Sequence, residues 1–308
     1  MMDNDNIIED FVVPELASYQ SEPKQLPSGT VGKKGFLSLE FRKRSDKTVL
    51  MREAHRVPLQ AQKAIYLDER LPTMPYVFIM APTGGILQGD RLAINIEVGE
   101  GAQAHVTTQS ATKIYEMDAN YGLQTQKIVL KDGAYLEYMP DLVIPNRHSR
   151  FVTLTDIEVA DTSTLLYSEI LMPGRKHKDD EIFLYDLFSS TVNIYRPEGT
   201  TLFTERFIVE PYKESVRNLA LMGSFDVLGN VLFVSEPRYL KQVFDNIPCT
   251  ICMEQGWAAG MSYLPYSAGL IYKVVGNESE IVAKKIREFW AEVRKAIWQV
   301  GLPNLRKA

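Results

Sequence analysis

The chain has 308 residues, 45% of them hydrophobic, enough to bury a substantial core as one large domain or two modest ones. Its formal net charge of −5 and its single short basic run, Arg42 to Arg44, argue against nucleic acid as the main partner, because phosphate contacts need clustered Lys and Arg. No apolar stretch approaches the roughly 20 residues a membrane helix needs, and two cysteines make no disulfide framework, so a soluble protein of the reducing cytoplasm, without a membrane partner, is expected.

Residues 1 to 28 are polar and acidic and lack the basic start and apolar middle of a secretion signal; they read as a flexible tail ahead of one domain spanning 29 to 308. From about 34 to 275 the dominant signal is alternation of period two, rich in Val, Ile, Thr, Tyr and Phe, which predicts an all-β body. Three segments superimpose without a gap: "IEVGEGAQAHVTTQ" from Ile96, "IVLKDGAYLEYMPD" from Ile128 and "IEVADTSTLLYSEI" from Ile157, at offsets of 32 and 29 residues. A fainter copy begins at Ile194. Repetition of this kind predicts stacked units that cover one another's apolar faces, as in a solenoid or β-helix-like body, or else reflects only the strand, Gly-Asp turn, strand order of any all-β protein.

A small helical portion completes the chain. A helix is expected within 236 to 246, with Tyr239, Leu240 and Phe244 on its buried side. A C-terminal helix over 277 to 299 follows from Asn277 and Glu280 as capping residues and from Val282, Ile286, Phe289, Trp290, Val293 and Ile297 at spacings of three and four.

The loop "APTGGILQGDRL", residues 81 to 92, has the glycine spacing of a phosphate cradle, but Asp90 and Arg91 stand where Lys and Ser or Thr are needed. Its glycines therefore serve either a tight strand connection or a narrow passage shaped by Gly84, Gly85 and Gly89, with Gln88 and Asp90 supplying polar atoms. His55, His105, His148 and His177 have no close ligand spacing, and His105 reads as a strand residue with its hydrogen bonds met. Cys249 and Cys252 lack the context of a zinc or redox pair and read as small, buried or half-buried residues. No hydrolase motif is present. Where successive repeats end, the alignment brings Thr107, Thr108 and Gln109 beside Asp141, Ser168 and Glu169, with Glu137 slightly earlier. Two readings stay open: solvent-exposed strand ends, or a column of oxygen atoms forming a hydrated path for a divalent ion.

The segments "PTGGILQGDRL", "VGEGAQAHVTTQSATKIY", "YLEYMPDLVIP", "LLYSEILMPGR" and "YLPYSAGLIYKVVG", in that order, resemble the urease accessory family UreD, also called UreH, over roughly residues 30 to 308. The resemblance implies a β-helix-like fold and a non-enzymatic nickel chaperone scaffold that binds apo-urease and UreF, reaches the GTPase UreG through UreF, holds no permanent cofactor and passes nickel in transit through an internal tunnel. Carried over by position, it implies roles for Thr83, Gly84, Gly85, Gly89 and Asp90 in the loop, for Asp141 and Glu169 on the path, and for Gly174 and Arg175 after the strand. Glu137 joins the expected path, and Arg175, Phe289 and Trp290 are the expected partner-binding residues. The sequence departs from the family pattern after Gly174 and Arg175, where the following acid is either Asp180 or Glu181, and in the loop at Thr83 and Gln88. A competing expectation is a β-helix-like carbohydrate-processing enzyme, which needs two carboxylates about 5 to 9.5 Å apart in an open groove.

Overall fold

The computed structural model describes residues 13–21, 33–178, 180–219 and 221–305. The chain opens with a hairpin, β1 (Lys34–Arg44) and β2 (Lys47–Arg56), followed by β3 (Gln60–Ala61) and β4 (Tyr76–Met80). The central part comprises β5 (Arg91–Val98), β6 (Gln103–Thr108), β7 (Thr112–Ile114), β8 (Gly122–Leu130), β9 (Tyr135–Tyr138), β10 (Val143–Pro145), β11 (Arg150–Val159), β12 (Thr164–Leu171) and β13 (Leu187–Tyr195). Then come β14 (Thr201–Val209), β15 (Val227–Val234), α1 (Pro237–Asn246), β16 (Ile251–Cys252), β17 (Trp257–Tyr263), β18 (Gly269–Gly276) and α2 (Ser279–Trp298).

These strands form two sheets. The smaller has seven strands in the order β14-β13-β11-β8-β5-β1-β2; the larger has eleven, with β16-β17-β18-β15-β12-β9-β6-β4-β3 as its path and β7 and β10 beside it. Between β4 and β13 the chain passes repeatedly from one sheet to the other, turning at Gly101 and Gly133, whose positive φ values of 60° and 64° suit glycine. The gapless repeats set the register: Ile96 pairs with Ile128, Ile128 with Ile157, and Ile157 with Ile194. Each of these isoleucines is buried between the sheets, so one apolar row runs across four strands.

The architecture nevertheless differs from the all-β, β-helix-like superhelix that the repeats suggest. Both sheets are mixed: the parallel core is flanked by antiparallel pairs, β1 with β2 and β13 with β14 in one sheet, and β12 with β15, β15 with β18 and β17 with β18 in the other. The outer face of the larger sheet is covered by helices, so the fold is mixed α/β. Period-two alternation reports that a strand has a buried and an exposed face; it carries no information on strand direction, which is why the sequence pattern overextends the parallel stack.

The two helices fall where expected. α2 buries Val282, Ile286, Phe289, Trp290 and Val293 against Val231, Phe233, Tyr272 and Val274, and α1 adds Leu240 and Val243. The N-cap of α2 is Glu278, with no side-chain capping bond, instead of the expected Asn277. No helix among the described residues is long and apolar enough to cross a membrane. Of the segment expected as a tail, residues 1–12 and 22–28 lie outside the described residues; a 3-10 turn, Pro14–Tyr19, buries Leu16 beside Leu123, Val152 and Leu187 of the smaller sheet. Glu15 next to Leu16 accepts a hydrogen bond from Ser189 Oγ at 2.6 Å and pairs with Arg206.

Candidate functional site

The inner faces of the two sheets change character along their strands. On the smaller sheet the inward positions read Ile128, Gln126 and the half-buried Gln124 backward along β8 and Ile157, Thr155, Thr153 backward along β11, while Ile194, Val192 and Ser190 follow on β13. Beside this polar half the sheets enclose a cavity of about 330 Å³. It is lined by Pro82, Gly84, Gly85 and Ile86 of the glycine loop, by Gln126, Thr153, Tyr138 and Tyr167, and by Glu205, Asn230 and Lys273. Asp141 and Glu169 both line it, as do Thr108 and Gln109.

The lining is hydrogen-bonded in an orderly way. Tyr138 OH donates to Gln126 Oε1, and Gln126 Nε2 donates to Thr155 Oγ1 at 2.8 Å. Glu169 accepts from Ser190 Oγ at 3.1 Å. Burial pushes the Glu169 carboxyl above its usual range, an effect opposed by the Tyr167 and Ser190 hydroxyls. At the other side the Asp141 amide donates to Thr108 Oγ1 at 2.8 Å. Among the described residues no three His, Cys, Asp or Glu side chains converge on one point; the cavity is lined by three acids, Asp141, Glu169 and Glu205, and by one cation, Lys273, among neutral polar and apolar side chains.

The glycine loop divides between two roles. Gly84, with φ 79°, turns the chain and donates its amide to the Ala81 carbonyl at 2.9 Å; a Cβ on Gly85 would lie 2.4 Å from the Lys113 carbonyl oxygen, so the loop can seat on β7 only as glycine. These two line the cavity. Thr83 Oγ1 donates to the Gly85 carbonyl, Gln88 Oε1 accepts from the Asp118 amide at 2.8 Å, and the Gly89 amide donates to the Tyr121 carbonyl at 3.0 Å. The buried Asp90 carboxylate accepts from the amides of Lys33 and Leu87, both at 2.9 Å. Thr83, Gln88, Gly89 and Asp90 thus staple the loop instead of lining the cavity.

Glu137 does not join Asp141 and Glu169. On β9 it alternates with Tyr138, and since Tyr138 faces the cavity, Glu137 faces α2. There it meets His105 Nδ1 at 2.7 Å, accepts from Tyr135 OH at 2.7 Å and lies 3.5 Å from Arg294, which also pairs with Asp68. His105, expected as a satisfied strand residue, is sandwiched between the rings of Tyr76 and Trp290. Phe289 and Trp290 are correspondingly core residues, with Phe289 stacked on Tyr272 at 5.2 Å, and are not available as a docking surface. Their helical spacing marks a buried stripe, and the larger sheet is what buries it. Cys249 and Cys252 are free, one exposed and one half-buried, and partial burial pushes the Cys249 thiol up.

A sequence profile of the UreD urease accessory protein family matches residues 33–307. The chain belongs to that family. It is 49% identical over 291 residues to urease accessory protein UreD 2 of Brucella canis, covering 94% of this chain and 96% of the relative. Urease accessory protein UreD of Photorhabdus laumondii is 47% identical over 292 residues, and that of Yersinia enterocolitica 44% over 298, each with 94% of this chain and 91% of the relative covered. In this UreD-family chain the acid that Arg175 meets is Glu181: its carboxylate, buried, takes both Arg175 and Arg147, whereas Asp180 is exposed. Arg175 is therefore engaged within the fold and not a free partner-binding group.

The Arg175 hydrogen bond, first among several contributions, holds the Glu181 carboxyl down at about 2, below its ordinary 4.5. A depressed carboxylate stabilises the fold above its unfolded pKa, and that stabilisation disappears as pH falls through the folded value. Glu181→Gln is expected to reduce stability at neutral pH by about 1–3 kcal/mol, the range for hydrogen bonds to charged groups. Urea titrations should show the gap between variant and parent closing as the pH is lowered from 4.5 to 2.

Proposed function

We propose that this chain is a non-catalytic scaffold of urease maturation, which bridges apo-urease to UreF and through UreF to UreG, and passes nickel through the cavity between its sheets. Membership of the urease accessory family supports the maturation role, and the cytoplasm, where urease is assembled, is its place of action. The observation that carries the path is that Asp141 and Glu169, from different repeats, both line one cavity between the sheets, in which apolar side chains alternate with polar ones and which Gly84 and Gly85 also line.

The chemistry suits transit. Nickel accepts carboxylate and water ligands, and affinity rises with the number of charged or soft donors. Carboxylates spaced among hydroxyls and amides hold a hydrated divalent ion without the thiolates that would retain it. Nickel is cargo here, not a resident cofactor.

In cells producing urease with its accessory proteins, Asp141→Ala and Glu169→Ala are each expected to lower urease activation about tenfold, corresponding to roughly 1.4 kcal/mol of lost interaction with the passing ion. Recovery of the UreD–UreF–UreG–urease assembly should be unchanged. Normal activation by both variants would remove these acids from the path.

A further inference from the structure

A row of cross-strand partners runs across the larger sheet from the cavity to its rim. Glu169 on β12 pairs with Asn230 on β15, Asn230 with Lys273 on β18, and Lys273 with Gly260 on β17. Partners in register project from the same face, so these residues stand side by side. The smaller sheet brings Ser190 and Glu205 to meet them: Ser190 Oγ donates to Glu169, Asn230 Nδ2 donates to Glu205 Oε2 at 2.7 Å, and Lys273 Nζ pairs with Glu205 Oε1.

The row ends in an opening. Glu205 and Lys273 line both the cavity and a shallow outer groove, which they share with Phe203, Gly260 and Met261. A Cβ on Gly260 would meet nothing within 4 Å. The Lys273–Glu205 pair is therefore the wall between the interior and solvent, with Lys273 43% and Glu205 14% exposed.

One atom in this wall is unsatisfied. Asn230 is only 7% exposed, and its Oδ1 has no hydrogen-bond partner. Turning the amide over would place that oxygen against the Glu205 carboxylate, so the observed orientation is fixed and the orphaned acceptor is a consequence of it. A buried carbonyl oxygen without a donor costs about 1–3 kcal/mol and points to a missing donor or cation.

We infer that Glu169, Glu205 and the Asn230 amide oxygen form a transient site for a hydrated divalent cation at the rim of the cavity, and that the Lys273 ammonium is its resident counter-ion. An arriving metal ion displaces the ammonium toward the outer groove, where Gly260 leaves room, and the ammonium returns as the ion departs. With only oxygen donors and a built-in competitor, the site binds weakly and releases readily. The inference rests on the reading of the cavity as an ion path, which it deepens by naming where the ion is held and what ejects it.

The test uses the full chain, Ni²⁺ alone as the probe, and isothermal titration. Lys273→Met removes the competitor and leaves both carboxylates, so Ni²⁺ should bind at least about tenfold more tightly than to the parent protein, a modest share of what one unit charge at close range supplies. Adding Glu205→Gln should abolish that gain. Lys273→Arg keeps the charge and should bind as the parent does, which also reports that position 273 tolerates replacement. Equal affinity of Lys273→Met and parent would overturn the proposal, and so would equal tightening by Met and Arg. If Lys273→Met binds tightly while Asp141→Ala and Glu169→Ala activate urease normally, the cation site stands and the path does not. If those variants fail to activate and Lys273→Met gains nothing, the path stands without this site.

Discussion

Replacing Arg294 by Met is expected to destabilise the protein by about 3–5 kcal/mol, the effect of removing one partner from a buried ionic group. Arg294 on α2 is fully buried, pairs with Asp68, lies 3.5 Å from Glu137 and donates to Tyr76 OH at 3.0 Å. Desolvation alone would push the guanidinium down, but Glu137, Tyr76 and Tyr135 hold it up. Glu137 shows the reciprocal behaviour: burial raises it, and His105 and Arg294 more than offset this and leave it below its usual range. Methionine fills the space yet removes the shared guanidinium from two buried carboxylates, leaving Glu137 to His105 and Tyr135 and Asp68 to Tyr76 and the Arg70 amide. Restoring neutrality with Asp68→Asn and Glu137→Gln in the Arg294→Met background should recover much of the loss, because the cost lies in the unpaired charges and not in the packing. Urea midpoints of the three proteins measure this. A loss below about 1 kcal/mol, the scale of an exposed pair, would contradict the assignment.

Ser190→Phe is expected to produce the largest functional loss. Ser190 stands on β13, lines the cavity and touches Glu169. A phenyl ring at this position occupies the space beside Glu169 while leaving the surface unchanged. Overfilling a packed core costs about 1–3 kcal/mol, and an existing cavity reduces that cost, so the variant should still fold and assemble. Urease activation should nevertheless fall more than about tenfold, equivalent to over 1.4 kcal/mol against the ion. Ser190→Ala removes only the hydroxyl and should act as the mild control, activating near the parent level.

Much of this was legible in residue pattern, and the failures have physical causes. The repeat offsets fixed which residues sit side by side, because a parallel ladder copies its register from one strand to the next, and the pairing of Ile96, Ile128, Ile157 and Ile194 follows directly. Strand direction was illegible, since alternation is the same in either sense, and the antiparallel flanks turn the imagined superhelix into two mixed sheets. Glu137 differs by parity: it pairs with Leu166, an odd three positions before Glu169, and an odd step along a strand leads to the opposite face. Phe289 and Trp290 announced an amphipathic face without saying what covers it. The cavity itself leaves a signal in the sequence. Gln124, Gln126, Thr153 and Thr155 occupy the inward positions of strands whose other ends carry isoleucine, and polar residues at inward positions mark where two sheets do not close on one another. Lys273 and Asn230 gave no such sign, because each is ordinary in a strand and becomes informative only beside Glu205.

The central claim is that nickel reaches urease through the space between the two sheets. Its most direct test is the nickel content of urease co-purified with its accessory proteins in the presence of Ser190→Phe, read by elemental analysis beside native mass measurement of the assembly. The account predicts an intact assembly containing urease with little nickel, and full nickel under Ser190→Ala. Urease fully loaded with nickel despite a filled cavity would contradict it.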